Sequence, residues 1–264
     1  MVSRPLDQPF NRALNGRYPP GSTFKVVTTA ALLGHGTTPD TAVECPPQAT
    51  VGGKPFTNFE GEAPGQITFR TAFAQSCNTA FVALAAGLPK PALKSAATSF
   101  GFDEPGNDKL PLQSFGGQFP EPSDKAEQAA AAIGQGRVQT SPLHMATVAA
   151  AIASGTWKPP RLLTNDPSPA GHPLDPSVVN TLRDLMAEVV HSGTGVAAVG
   201  ADGGKTGTAE FGPSGPGKTP ATHAWFIGFR GSLAFAILVE GGGVGGRVAA
   251  PLAAAFLRAA SATA

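Results

Sequence analysis

Ser22 and Lys25 lie three residues apart in the run Tyr18-Pro19-Pro20-Gly21-Ser22-Thr23-Phe24-Lys25. On a helix that spacing puts both side chains on one face, so a hydroxyl and an amine can meet. A free serine is a poor nucleophile and needs an adjacent base. Lysine can be that base only if its pKa falls, which burial and nearby positive charge both promote. A helix N-terminus at this point would also supply backbone N–H groups for a developing oxyanion. The pair alone is equally a capped helix start with a solvated lysine, because serine is a favoured cap.

Two further clusters follow. Ser76-Cys77-Asn78 offers a second hydroxyl that could relay a proton, and an amide that could hold a substrate amide or an active-site lysine. On its own such a tripeptide is simply a turn. Lys205-Thr206-Gly207-Thr208 follows Gly203-Gly204 and precedes Ala209-Glu210. A glycine in a strand lets another backbone come close. The flanking Lys and Thr side chains can bind a carboxylate, and a backbone N–H there can complete an oxyanion hole. The rival reading of Gly-Gly-Lys-Thr is a phosphate loop, which requires a glycine six residues before the lysine, where this chain has Val199. Ser192-Gly193-Thr194-Gly195 also interrupts the strand that should feed such a loop, so the phosphate reading fails on context.

The elements that must position these groups follow from pattern. The apolar run from Ser22 to Leu33, closed by Gly34, predicts a helix begun by Ser22. Thr37 to Gly65 is rich in Pro, Gly and Thr and reads as a long surface excursion. Ile67 to Leu88 is helical apart from the break at Ser76-Cys77-Asn78, and Pro105 to Pro122 is loop-like. Helices are expected at Ala126–Ile133, Pro142–Ala153, Pro176–Val190 and Val248–Ala260. Short strands are expected at Lys205–Phe211, Ala224–Phe229 and Leu233–Glu240. Helices, then a strand meander, then a closing helix indicate an α+β fold with an antiparallel sheet.

Composition narrows the function classes. The chain has 264 residues and a net charge of +1, with Lys and Arg spread along its length, so the electrostatic footprint of a nucleic-acid binder is missing. Hydrophobic residues make up 41% and charged residues 14%, values of a chain with a sizeable core. No apolar run approaches the ~20 residues of a membrane span, and the first residues do not read as a signal peptide. The five histidines are scattered singly, each better placed in a structural or surface role. Cys45 and Cys77 fall short of a zinc site; a disulfide between them and a buried thiol both stay open. No metal or cofactor is expected.

Ser-x-x-Lys, Ser-x-Asn and Lys-Thr-Gly, in that order, are the signature of penicillin-binding proteins and class A β-lactamases. The chain resembles the penicillin-binding transpeptidases beyond these triplets. Ile133-Gly134-Gln135-Gly136 with Thr140-Ser141-Pro142-Leu143-His144-Met145-Ala146 is similar to the family's segment between its second and third motifs. His223-Ala224-Trp225-Phe226-Ile227-Gly228-Phe229 is similar to one of its sheet strands. The resemblance implies a β-lactamase/transpeptidase-like fold over residues 1–264. An antiparallel sheet would be sandwiched by helices, with an all-helical subdomain and a site at their junction. It implies a nucleophilic Ser22 and a general base in Lys25, with Ser76 and Asn78 relaying protons and positioning substrate. Lys205, Thr206, Gly207 and Thr208 would hold the substrate carboxylate, and the N–H groups of Ser22 and Thr208 would form the oxyanion hole. The implied substrates are peptidoglycan stem peptides ending in D-Ala-D-Ala, and β-lactams would acylate the same serine.

Family members carry strands ahead of the nucleophile segment, and before those an accessory domain and a membrane anchor. This sequence opens almost at the nucleophile, so the first strands are expected to be missing and Leu233–Glu240 to present an unpaired apolar edge. No glycosyltransferase segment is present, which leans toward the monofunctional, class B-like type acting at the extracytoplasmic face of the cell membrane. Two alternatives share the motifs. A serine β-lactamase would need a deacylating Glu, for which Glu104 and Glu121 are the candidates, and a β-lactam sensor would acylate without turnover.

Overall fold

The computed structural model describes residues 10–104, 114–163, 165, 170–212 and 220–261. Its helices are α1 (Arg12–Asn15), α2 (Lys25–Leu33), α3 (Phe69–Ala74), α4 (Asn78–Ala86), α5 (Lys90–Ser99), α6 (Lys125–Ala132), α7 (Pro142–Ser154), α8 (Pro176–His191) and α9 (Gly245–Ser261). Four strands precede α3: β1 (Ala42–Cys45), β2 (Gln48–Val51), β3 (Lys54–Thr57) and β4 (Gly65–Thr68). Two-residue strands β5 (Gly117–Gln118), β6 (Gln139–Thr140), β7 (Thr156–Trp157) and β8 (His172–Pro173) form small ladders. The main sheet is β9 (Gly203–Phe211), β10 (Ala221–Arg230) and β11 (Leu233–Val239).

That sheet is antiparallel with order β11-β10-β9, and Gly207 faces Trp225 across the β9–β10 ladder. Strand alternation sorts β10 between two cores. Ala224 and Phe226 pack with Phe235, Ala249, Ala253 and Leu257, the last three from α9. Trp225, Ile227 and Phe229 join the larger core on the other face, which includes residues of α7 and α8. Helices therefore cover both faces of the sheet, the α+β sandwich the sequence implies. The larger core continues into the helical part through the buried Phe24, Phe102 and Phe119, with Phe24 stacked on Phe119 at 5.5 Å. Among the described residues β11 is paired on one side only.

Helix ends follow local chemistry. Asp175 caps α8 by accepting from the N–H groups of Ser177 and Val178, and Pro176 occupies the first turn. Ser141 caps α7 the same way through His144 N–H. Two expectations need correction. Thr37–Gly65 is not an irregular excursion: it contains β1, the β2–β3 hairpin and the start of β4. These strands are four residues each, interspersed with Pro and Gly, too short for their alternation to stand out. Ser22 is also not the cap of a helix. Gly21–Phe24 form a 3₁₀ turn, and α2 begins only at Lys25, with no side chain capping it. The helix α5, absent from the sequence reading, starts after Pro89. The expected loop at Pro105–Pro122 falls partly outside the described residues.

Cys45, at the end of β1, is disulfide-bonded to Cys77, which precedes α4. The sequence separation is 32 residues, so the bond removes substantial freedom from the unfolded chain. Unfolded without reductant, the protein should show no thiol reactive toward a chromogenic disulfide reagent. Breaking the bond should lower unfolding free energy by roughly 3–4 kcal/mol, measured as the shift in a urea transition.

Candidate active site

The Gly21–Phe24 turn is held from three sides. Gly21 N–H donates to Gly134 O at 2.9 Å, Trp225 Nε1–H donates to Pro19 O at 3.1 Å, and Tyr18 pairs with Thr140 through reciprocal 2.9 Å backbone bonds. Gly134 has φ +69°, and its backbone lies directly against Gly21, which leaves no room for a side chain. A Cβ on Gly207 would come within 2.9 Å of Thr23 Cγ2, 3.0 Å of Trp225 Cβ and 3.1 Å of Pro20 O. The strand β9 and the turn can touch only because residue 207 is glycine. Thr23 spends its hydroxyl on Pro20 O at 2.7 Å. Ser22 is half-buried, and its hydroxyl has no hydrogen-bond partner among the described residues.

Lys25 is fully buried. Its Nζ donates to Ser76 O and Asn78 Oδ1 at 2.7 Å each, lies 3.2 Å from Ser76 Oγ, and sits 5.1 Å from the centre of the Phe81 ring. Burial, with a further contribution from the Lys205 charge, drives its pKa well below the ordinary lysine value. An uncharged amine has two N–H donors and one lone pair. As the free amine Lys25 would keep two donors for the Ser76 and Asn78 oxygens at 2.7 Å and present one lone pair able to take a proton. This is the electronic state a general base needs.

The acceptors are fixed by an unusual turn. Ser76 adopts a left-handed backbone, φ 60°, a conformation that non-glycine residues take up only when surroundings impose it. Here Cys77 N–H bonds to Ala72 O, the Cys77 sulfur accepts from Ala80 N–H, and the disulfide ties the turn to β1. Asn78 also donates to Thr57 O at 3.0 Å, and buried Asn58 joins Thr79 N–H to the Pro46 and Glu62 carbonyls.

On the opposite bank, Lys205 is fully buried, donates to Thr206 O at 3.1 Å and lies 5.7 Å from the Phe73 ring centre. Burial lowers its pKa to about 7. Thr206 Oγ1 shares a 2.5 Å hydrogen bond with Thr194 Oγ1, and Thr208 Oγ1 accepts from Gly245 N–H at 3.3 Å. All eight residues singled out in the sequence thus fall on three pieces of chain: the Gly21–Phe24 turn with the start of α2, the Ser76–Asn78 turn, and β9. Sequence reasoning passed over Thr194, Phe73, Phe81 and Asn58. Only Thr194 carried a signal, as the polar residue of a Gly-flanked break. Glu104 pairs with His172 at 3.4 Å and Glu121 is exposed, so neither lies among the partners of the Lys25 cluster. No group of three or more His, Cys, Asp or Glu able to hold a metal exists among the described residues.

Comparisons with known proteins agree with this geometry. The family described as penicillin binding protein transpeptidase domain matches residues 1–258. The peptidoglycan D,D-transpeptidase PbpA of Mycolicibacterium smegmatis is 39% identical over 279 residues, covering 95% of this chain and 56% of its own length. Its counterpart in Mycobacterium tuberculosis is 37% identical with the same coverage. The penicillin G acyl-enzyme structure of penicillin-binding protein A from M. tuberculosis superposes with a TM-score of 0.85 at 35% identity, over 97% of this chain and 64% of that one. The chain therefore spans about half the length of the curated relatives it matches.

The buried lysines make stability depend on pH in a defined direction. Lys205 titrates near 7 when folded and near the ordinary lysine value of 10.5 when unfolded, so between those limits the unfolded chain binds more protons. Stability should rise as pH goes from about 7 toward 9.5, and Lys25 adds to the same slope. Urea titrations of the wild type and Lys205→Met at several pH values should show a shallower rise in the variant.

Proposed function

Because the chain belongs to the penicillin-binding protein transpeptidase family, we propose that it is a serine D,D-transpeptidase domain that cross-links peptidoglycan stem peptides. The observation that carries the reading is the buried Lys25 amine, hydrogen-bonded to Ser76 and Asn78 one turn from a Ser22 hydroxyl that has no partner among the described residues.

In the proposed reaction Ser22 Oγ attacks the carbonyl carbon of the penultimate D-Ala, and its proton passes to Lys25 Nζ. The N–H groups of Ser22 and Thr208 stabilise the oxyanion. The C–N bond then breaks, and the proton travels from Lys25 through Ser76 Oγ to the departing D-Ala amine. A neighbouring stem's amine attacks the ester, returning a proton to Ser22 Oγ and leaving the cross-link. Asn78 orients Lys25 and the substrate amide, while Lys205, Thr206 and Thr208 hold the carboxylate with Gly207 giving it room. β-Lactams present the same carbonyl and carboxylate and would acylate Ser22. The chemistry calls on no cofactor.

The proposed place of action is the extracytoplasmic face of the bacterial membrane, within a longer, membrane-anchored protein. The Cys45–Cys77 disulfide supports that location, since disulfides persist in oxidising compartments. Incubation with a fluorescent penicillin should label the wild type in one stoichiometric burst and leave Ser22→Ala unlabelled. Label on Ser22→Ala would refute the nucleophile, and sustained nitrocefin turnover would indicate a β-lactamase instead.

A further inference from the structure

Glu60 and Arg247 form a two-pronged ion pair, Nη1 to Oε1 and Nη2 to Oε2, both at 3.0 Å. Its ends belong to opposite banks of the site. Glu60 follows Thr57, whose carbonyl accepts from Asn78, and Asn58, which bonds Thr79. Arg247 lies in the first turn of α9, where Gly245 N–H donates to Thr208 Oγ1 and Gly246 lies beside the Thr206 methyl. A cleft of about 420 Å³ adjoins this region, lined by Glu62, Gln75 and Thr194 among others but by neither member of the ion pair. The ion pair thus bridges from the Asn78 side to the strand bearing Thr206 and Thr208.

Two features mark the pair as more than a surface contact. Glu60 has a left-handed backbone, φ 50° and ψ 19°, although it is not glycine, so the local chain is bent to deliver this carboxylate. The side chains are also 67% and 50% exposed, so water can replace either partner at little cost. The carboxylate-holding bank otherwise offers weak charge: Thr206 and Thr208 are neutral, and Lys205 is buried with its amine on Thr206 O. Arginine stays charged, and its planar fork fits a carboxylate with two parallel bonds.

Resting on the transpeptidase reading, we propose that Arg247 is a specificity residue for the terminal carboxylate of the donor peptide, and that Glu60 is an internal carboxylate occupying it until substrate arrives. Binding exchanges one carboxylate for another on the same guanidinium. Glu60 released from Arg247 leaves the gap between the banks open. No covalent step is added to the reaction.

The test compares acylation rate constants of wild type, Glu60→Gln and Arg247→Gln with benzylpenicillin and with its methyl ester, which lacks the charge. Removing the competitor in Glu60→Gln should speed benzylpenicillin severalfold, and Arg247→Gln should slow it about tenfold, the loss expected for one charged contact. Rates with the ester should stay within about twofold of wild type for both variants, since uncharged ligand makes no use of the guanidinium. High salt should shrink both effects. If Arg247→Gln accelerates benzylpenicillin as Glu60→Gln does, the pair is only an obstacle and the inference is overturned. Unchanged rates, or equal slowing of acid and ester, overturn it as well. Should Arg247→Gln not melt cooperatively, Arg247→Lys replaces it, and wild-type speed with benzylpenicillin there overturns the need for the fork. A wild type that benzylpenicillin does not acylate overturns the transpeptidase reading and this inference with it, whereas normal wild-type acylation with inert variants overturns this inference alone.

Discussion

The structure turns on one costly placement: a lysine amine buried completely beside a serine. Taking a charged ammonium out of water is costly, so burial drives the Lys25 pKa well down and its N–H donors must find partners. The disulfide, the left-handed Ser76 and the Asn58 network all position the two oxygens that satisfy them. The same burial that costs free energy weakens the hold of the amine on its proton.

The second constraint is closeness of backbones. The Gly21–Phe24 turn is wedged between β9 and the Gly134 segment, and the approach at Gly207 tolerates no side chain. Trp225 reaches through from β10 to hold Pro19, so the same strand that fills the core also fixes the turn. Small movements of the sheet would be passed directly to Ser22. Precision here comes from packing of rigid elements, since the Ser22 hydroxyl makes no hydrogen bond among the described residues.

Much of this was legible in the sequence, for reasons that differ by region. The helices at Pro142 and Pro176 announced themselves through Ser or Asp followed by proline, and the sheet through β-rich runs broken by turns. The site residues emerged from the order of three motifs, each uninformative alone. The strands between Thr37 and Gly65 stayed hidden because four-residue strands leave too little alternation to see. Ser22 looked like a cap because a 3₁₀ turn and an α-helical first turn share the same residue preferences. Thr194 and the aromatic rings under the two lysines were invisible since they are brought in by tertiary packing from distant parts of the chain.

The Cys45–Cys77 bond gives the site a history as well as a shape. The turn that presents Asn78 to Lys25 is closed covalently on the side facing β1, and that closure depends on an electron acceptor outside the polypeptide. A newly made, still reduced chain holds the same turn with hydrogen bonds alone, against the strain at Ser76. The reduced and the oxidised chain therefore differ in how firmly the turn holds Asn78 against Lys25.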